Sequence, residues 1–367
     1  MLRFLKSIFT LISFAFALAL LLSAANAYIS PAKVKLLAFA SFAFPMLWIL
    51  NLVLFLIWLA RKKWQAIFVF TVLVLTFNHW SNVFQWNGRQ ATETVENRSI
   101  SIMSFNVRMF DYYNWIGRED VDKDIMSFIH HQSPDILCIQ EFFSYNGQKK
   151  FSQSAIINKL GKYPYHHIEY AKVWRNGRSF GLATFSKYPI TGKDVIKFKN
   201  TTNFSIQTDV NVNGSKIRIF NNHLESIRFQ TQHLNFIDSI NYKSDKEWRE
   251  GISNIVHKMN TAFRVRSTQA EVVAEKIANS PHPVLVCGDF NDTPVSYVYH
   301  KIRGSLNDAF VESGKGFSGT YNGPLPSYRI DFIFHSPQFE SYGFLRHKEN
   351  LSDHYPISCL IDLKPEQ

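Results

Sequence analysis

The sequence predicts a layered α/β domain carried on apolar N-terminal helices. Three observations carry the prediction. Between Ser99 and Leu363, β-rich runs of four to nine residues alternate with helical stretches. Two uncharged apolar runs of bilayer-spanning length precede them. Charge is unevenly divided: residues 1–80 hold seven Lys/Arg and no Asp/Glu, so of a net charge of +11 only +4 falls on residues 81–367. With 46% hydrophobic and 19% charged residues, the 367-residue chain is neither disordered nor collagen-like. Its three cysteines exclude a dense disulfide scaffold and a four-cysteine zinc ribbon.

The first apolar run lies between Ser7 and Pro31 and the second runs from Leu36 to Ala60. Both meet the requirement of about 20 apolar residues for a helical span. A third stretch opens at Trp64; its apolar heart, AIFVFTVLVLTF, is shorter and Asn78 and His79 follow it. Core helices of a soluble protein can look similar, but two such runs in succession argue against that. A cleaved signal peptide is a further alternative, with Arg3 and Lys6 as its basic start and Ala25-Asn26-Ala27 as a cleavage site. The length of the run and the spans that follow argue against cleavage. Arg3, Lys6 and the Arg61-Lys62-Lys63 cluster mark the cytoplasmic side, against the weaker pair Lys33 and Lys35. The expected organisation is a membrane anchor of about three transmembrane helices (1–82), a polar linker (83–98) and a large domain (99–367). That places a multi-pass chain in the cytoplasmic (inner) membrane with the large domain outside; if the third stretch fails to cross, the domain is cytoplasmic.

Within the domain the expected strands are SISIMSFNV, DILCIQEF, FGLATFS, SIQTDVNV, KIRIFNNHL, PVLVCGDF, RIDFIFH and ISCLIDL. Helices are expected near 121–131, 152–161, 247–278 and 294–302. Cys138, Cys287 and Cys359 sit inside apolar strands and read as buried small hydrophobes. In 226–262, Trp248, Ile252, Ile255, Val256, Met259 and Phe263 recur at helical spacing. Such a helix packs on its own domain, binds a partner or membrane, or forms part of a substrate rim.

Polar groups follow the apolar strands repeatedly. Asn106 ends SIMSFN, Glu141 ends DILCIQE, and Asn222 and His223 end IRIFNNH. Asp289 and Asn291 end VLVCGDFN, Asp331 lies in RIDFIF, and Asp353-His354 precede YPISCLI. Singly, each has an ordinary explanation: turn asparagines, solvated carboxylates, structural histidines. Together they suit phosphoester hydrolysis. Glu141 offers a hard oxygen ligand for Mg²⁺ or a similar ion. His223 and His354 exchange protons near neutral pH, and a carboxylate such as Asp331 can orient an imidazole. Asn106 and Asn291 donate amide hydrogens to phosphate oxygens. No nucleophile elbow and no Walker-type glycine loop occurs, which favours direct attack by water and disfavours an NTP-driven reaction.

The ordered motifs SFNVR (104–108), IQE (139–141), GLATFSKYPI (181–190), NNHL (221–224), GDFND (288–292), LNDAF (306–310), GTY (319–321), YRIDFIF (328–334) and SDHYP (352–356) resemble those of the endonuclease/exonuclease/phosphatase superfamily. The resemblance covers about residues 99–364. It implies a four-layered α/β sandwich, two packed mixed sheets flanked by helices, with the site at one edge. It also implies Glu141 as the principal metal ligand with Asn106 and Asp353 near the metal (Mg²⁺, or Mn²⁺ or Ca²⁺). Asp289 and Asn291 match the pair that positions nucleophile and phosphate, and His354 matches the catalytic histidine held by Asp331. His223 matches a second histidine of pancreatic-type deoxyribonucleases, sphingomyelinases and inositol-phosphate phosphatases. His354 is expected as base toward water and His223 near the leaving oxygen. Asn222 and Arg178 are candidate substrate contacts. Abasic-site endonucleases of the family usually carry Tyr where this chain has His223, which disfavours DNA repair.

Three functions remain open. The first is a membrane-anchored, divalent-metal-dependent phosphodiesterase acting on a lipid head group or another phosphoester. The second is an extracytoplasmic non-specific nuclease, for which the cluster Lys172, Arg175 and Arg178 is a candidate backbone contact. The third is a non-catalytic binding module on the same fold.

Overall fold

The computed structural model describes residues 2–227, 245–324 and 326–363. The chain divides into two compact units. The first comprises residues 1–84, 227–270 and 292–301, and the second residues 85–226, 271–291 and 302–367.

The first unit contains α1 (Leu2–Ala25), α2 (Lys35–Ala60), α3 (Gln65–Leu75) and α4 (Phe77–Ser81). Ser7–Ala25 and Leu37–Ala60 are long and apolar enough to cross a membrane. The expected third span takes a different form. α3 has only 11 residues, a rise of about 16 Å against roughly 30 Å of hydrocarbon. The helix breaks at Thr76, whose hydroxyl donates back to the Val72 carbonyl at 2.8 Å, and α4 resumes beyond it. Ala17, Leu20, Phe44, Trp48, Trp58, Val69, Val72 and Trp80 form the shared core, and the Trp48 and Trp80 rings stack at 4.2 Å. Two polar groups bridge these helices: Trp58 Nε1 donates to Ser13 Oγ at 3.0 Å, and Asn51 Nδ2 donates to the Phe16 carbonyl at 3.1 Å.

Two later segments belong to the same unit. The first part of α5 (Asp245–Ala278) brings Phe263 to 5.2 Å from the Phe39 ring and 5.9 Å from that of Phe42. The second segment, 292–301, places His300 5.9 Å from Tyr28 and 5.1 Å from His79. The fully buried Arg266 meets Asp292 at 3.2 Å.

The second unit is built on two mixed six-stranded sheets. In chain order the strands are β1 (Ser99–Asn106), β2 (Ile136–Tyr145), β3 (Tyr165–Val173), β4 (Arg178–Ser186), β5 (Ile190–Lys197), β6 (Phe204–Val212) and β7 (Ser215–His223). They continue as β8 (Val284–Asp289), β9 (Asn307–Asp308), β10 (Asp331–His335), β11 (Glu340–Arg346) and β12 (Ile357–Asp362). One sheet has the order β11-β12-β1-β2-β4-β3 and the other β9-β10-β8-β7-β6-β5. At the centre of each lies a parallel pair, β1 with β2 and β7 with β8; the other pairings are antiparallel.

The sheets pack through their inner faces, where Ile100, Ile102, Ile136, Cys138 and Cys359 of one meet Ile219, Leu285, Cys287 and Ile333 of the other. The three cysteines are buried free thiols. On the outer face of the first sheet, Met103, Phe105, Leu137 and Ile139 pack against Ile125 and Ile129 of the helix Val121–Gln132 and Ile156 of the helix Gln153–Lys159. All eight expected strands are present. The sequence pattern misses β3, β5, β9 and β11, which are the four edge strands of the two sheets. Edges keep polar residues on their open side, which blurs the apolar alternation.

Candidate active site

Side chains alternate between faces along a strand, and this period decides which polar groups meet. On β1, Ile100 and Ile102 face the inter-sheet core, so Asn106 does too. On β7 the series is Ile217, Ile219, Asn221, His223; on β8 it is Leu285, Cys287, Asp289. β10 runs antiparallel to β8, so Ile333 followed back to Asp331 reaches the same end. Each strand thus switches from apolar to polar at its last inward positions. Strand register pairs Asp289 with His223 on one side and Asp331 on the other. Gly288 permits this packing: its φ is +134°, and a Cβ there would lie 2.0 Å from the Asn222 carbonyl oxygen.

Glu141 breaks the alternation. Gln140 already occupies the inward position of β2, donating to Asn221 Oδ1 at 2.7 Å. The β2–β4 register shifts between Ile139 and Phe142, and Glu141 has φ of +54°. This bulge turns the Glu141 carboxylate back toward the inner face. Its Oε1 lies 3.5 Å from Asn106 Nδ2 and 3.8 Å from His223 Nε2.

Asp289 is the hub. It is 1% exposed, and its Oδ2 accepts from Asn106 Nδ2 and from Asn291 Nδ2, both at 3.1 Å. His223 Nε2 and His354 Nε2 each lie 3.7 Å from that same oxygen. Asn291, at φ +54°, also donates its backbone N–H to Asp289 Oδ1 at 2.8 Å and its amide to the Leu224 carbonyl at 3.1 Å. His354 Nδ1 donates to Asp331 Oδ2 at 2.9 Å. Two backbone N–H groups, of Ile330 and Asp331, hold the Asp331 turn through Thr320 Oγ1. Asp353 pairs with Arg108 Nε at 3.3 Å.

The electrostatics follow from burial and crowding. Burial, then Asp353 and Asp289, push the Glu141 carboxyl up to about 7. Burial likewise raises Asp289, against the opposing field of His354. For His354, burial works to lower the pKa, but Asp331 and Asp289 outweigh it and hold the imidazole well above 6.5. Carboxylates forced together in this way suit a divalent cation with hard oxygen ligands. Glu141 with Asn106 and Asp353 offers one such donor set. Asp289, Asp331 and His354 offer another, with one ligand atom each within 4.8 Å of one another. In that second set Asp331 already accepts from His354, so its atoms read more simply as a carboxylate–imidazole pair.

Of the predicted residues, Asn106, Glu141, His223, Asp289, Asn291, Asp331 and His354 come together, with Asp353 beside them. Asn222 does not join. It occupies the other parity of β7, is fully buried, and donates to the Cys287 carbonyl at 2.9 Å. Arg178 stands apart, opposite Tyr145 in the β2–β4 register, four residues along β2 from Glu141. Its guanidinium lies 5.2, 5.8 and 5.4 Å from the rings of Tyr112, Tyr113 and Tyr145. The sequence reading missed Ser352, whose hydroxyl donates to the Asn106 carbonyl at 2.7 Å and accepts from the His354 N–H at 3.2 Å. It also missed Gln140 and Asn221 beneath the site; their inward parity was the available signal.

A family model described as the endonuclease/exonuclease/phosphatase family matches residues 103–354. A second, a domain of unknown function (DUF8431), matches residues 6–83. No curated protein matches the chain. Among solved structures, an endonuclease/exonuclease/phosphatase from Beutenbergia cavernae is similar at 17% identity and a TM-score of 0.54, covering 72% of each chain. Humanized D. rerio TDP2 is similar at 19% identity and a TM-score of 0.51, over 72% of this chain and 99% of that one. The human Nocturnin catalytic domain is similar at 19% identity and a TM-score of 0.50, over 72% and 93%. At these identities the likeness establishes the fold.

Proposed function

The chain belongs to the endonuclease/exonuclease/phosphatase family, and from that membership we propose that it is a membrane-anchored phosphodiesterase that uses a divalent cation and attacks with water. Members of this family are in general metal-dependent phosphoester hydrolases. The observation that carries the reading is the meeting of Asn106, Glu141, His223, Asp289, Asn291, Asp331 and His354 around one carboxylate oxygen of Asp289.

Glu141 would hold the cation, with Asn106 and Asp353 beside it. When bound, the cation offsets charge developing on the phosphoryl oxygens. Asp289 and Asn291 position the attacking water and the phosphate. In its neutral form, reached only above its raised pKa, His354 takes the water's proton at Nε2, and Asp331 stabilises the imidazolium that forms. His223, on the other side of Asp289, serves the leaving oxygen. No covalent intermediate is needed.

Membrane attachment rests on α1 and α2, whose Leu11, Leu18, Met46, Val53 and Leu56 are exposed apolar side chains. Phe263 and His300 pack near Phe39 and Tyr28, at the end of the α1–α2 hairpin opposite Arg61-Lys62-Lys63. The basic cluster Arg61-Lys62-Lys63 marks the cytoplasmic side, and a domain outside the cytoplasmic membrane is the reading that this charge bias favours.

A second reading, a nuclease, is favoured by one observation. Arg178 lies among Tyr112, Tyr113 and Tyr145, and Arg108 lies 4.7 Å from the Trp115 ring. Cations interleaved with aromatic faces suit a single nucleic-acid strand. The test is the full chain in lipid nanodiscs, assayed with each divalent cation on a phospholipid, a single-stranded DNA and a generic phosphodiester. Glu141→Ala is the blank. Hydrolysis of any diester above the blank supports the reading, and the preferred substrate separates lipid from nucleic acid. Rates equal to the blank with every cation overturn it.

A further inference from the structure

We propose that the first half of α5, from about Trp248 to Phe263, lies in the membrane interface as an amphipathic helix, its apolar stripe in the lipid and its polar face in water. This rests on the reading that α1 and α2 cross the bilayer. Phe263 is 1% exposed and packs on Phe39 and Phe42, the third and sixth residues of the apolar span Leu37–Ala60. Phe263 therefore sits at the depth of the first turns of a membrane-crossing segment. From Phe263 the stripe steps back through Met259, Ile255, Ile252 and Trp248 at intervals of three and four residues, over about 22 Å of helix.

Trp248 and Val256 on this stripe are 45% and 39% exposed. What covers them follows from continuity: the stripe is an extension of a face already seated on the outer end of a span, and lipid is the neighbour at that depth. The opposite face carries Glu250, Ser253, Asn254, His257, Thr261 and Arg264, all exposed. Arg249 and Lys258 flank the stripe on its two sides, where long cationic chains reach lipid phosphates while their stems lie along apolar surface.

The helix cannot instead point into the bilayer. Arg249, Glu250 and Lys258 lie before Phe263, and Arg264 follows it directly. Each charge carried to the bilayer centre costs about 2.5–3.5 kcal/mol on insertion scales. With Arg249, Glu250 and Lys258 on one side of Phe263 and Arg264 directly on the other, neither direction along this segment can enter the hydrocarbon cheaply, and the segment lies along the surface.

The experiment uses the full chain in vesicles of phosphatidylcholine and phosphatidylglycerol. The three native cysteines are buried, so single introduced cysteines can be spin-labelled selectively. Collision with oxygen, which concentrates in lipid, is compared with collision with a water-soluble nickel chelate. At W248C, I252C and V256C oxygen should dominate; at S253C, H257C and T261C the nickel chelate should. V53C and L56C on α2 report whether the span itself is in lipid. Oxygen dominance at those two with nickel dominance along the stripe overturns the interfacial helix alone. Exclusion of both reagents from the stripe means protein covers it, a second copy included, and also overturns it. Nickel dominance at Val53 and Leu56 positions overturns the spanning reading and this inference with it.

Discussion

Asn106 and Asp289 are 183 residues apart in the chain and meet at 3.1 Å, amide to carboxylate, one from each sheet. The same Asn106 amide is 3.5 Å from Glu141. This single side chain ties the two sheets together at the site. A hydrogen bond to a charged group contributes about 1.5–3 kcal/mol. Asn106→Ala should therefore lower kcat/KM by about ten- to a hundredfold, with the circular dichroism spectrum unchanged. Wild-type kcat/KM would remove Asn106 from the site.

His354→Ala should cut turnover by about 10²-fold or more while substrate affinity holds. Asp331→Asn tests the pair separately. Asp331 raises the proton affinity of His354, so its loss should move the acid limb of the kcat profile to lower pH. A limb that stays in place assigns that ionisation to another group.

Glu141 should bind the cation in competition with a proton. Its carboxyl stands at about 7 without a cation, so at pH 6 it is mostly protonated and must release its proton on binding. Apparent affinity should fall by up to about tenfold per unit below pH 7 and level off above. Calorimetric titrations at pH 6 in two buffers of different ionisation enthalpy should give different heats, and at pH 8 nearly equal ones. Equal heats at pH 6 would count against Glu141 as the ligand. Glu141→Ala should abolish metal-dependent hydrolysis without unfolding the domain.

Two histidines far from the chemistry predict acid sensitivity. Burial lowers His167 and His347 to about 4. Each keeps a hydroxyl partner at 2.8 Å, Thr208 for His167 and Ser358 for His347. The unfolded chain takes up these protons near 6.5 and the folded one only near 4, so stability is complete above pH 6.5 and is lost as pH falls toward 4. Each contributes at most roughly 3 kcal/mol over that window. His347→Gln should reduce the fall in melting temperature between pH 7.5 and pH 5. An unchanged fall would mean that the folded chain takes up the His347 proton as readily as the unfolded one.

The inner strands of both sheets were legible in sequence because burial on both faces leaves apolar runs with a clear end. His223, Asp289 and Asp331 were legible for the same reason, since each continues the inward parity of its strand. Glu141 was legible only as a motif. Strict alternation points it outward, and nothing local in IQE announces the bulge that reverses it. Asn222 misled because it neighbours His223 in sequence while a strand places neighbours on opposite faces. The break at Thr76 was invisible to a hydropathy window, which averages across it.

The site is shared between sheets, and the chain is nearly divided between them as well. Strands up to Ser186 contribute Asn106 and Glu141; those after Ile190 contribute His223, Asp289 and Asp331, with His354 following. A gene severed in the turn at Lys187–Pro189 would give two silent halves, each holding an incomplete set of groups. Their reassociation would be the event that switches hydrolysis on, which makes this turn a natural place to build a fragment-complementation reporter.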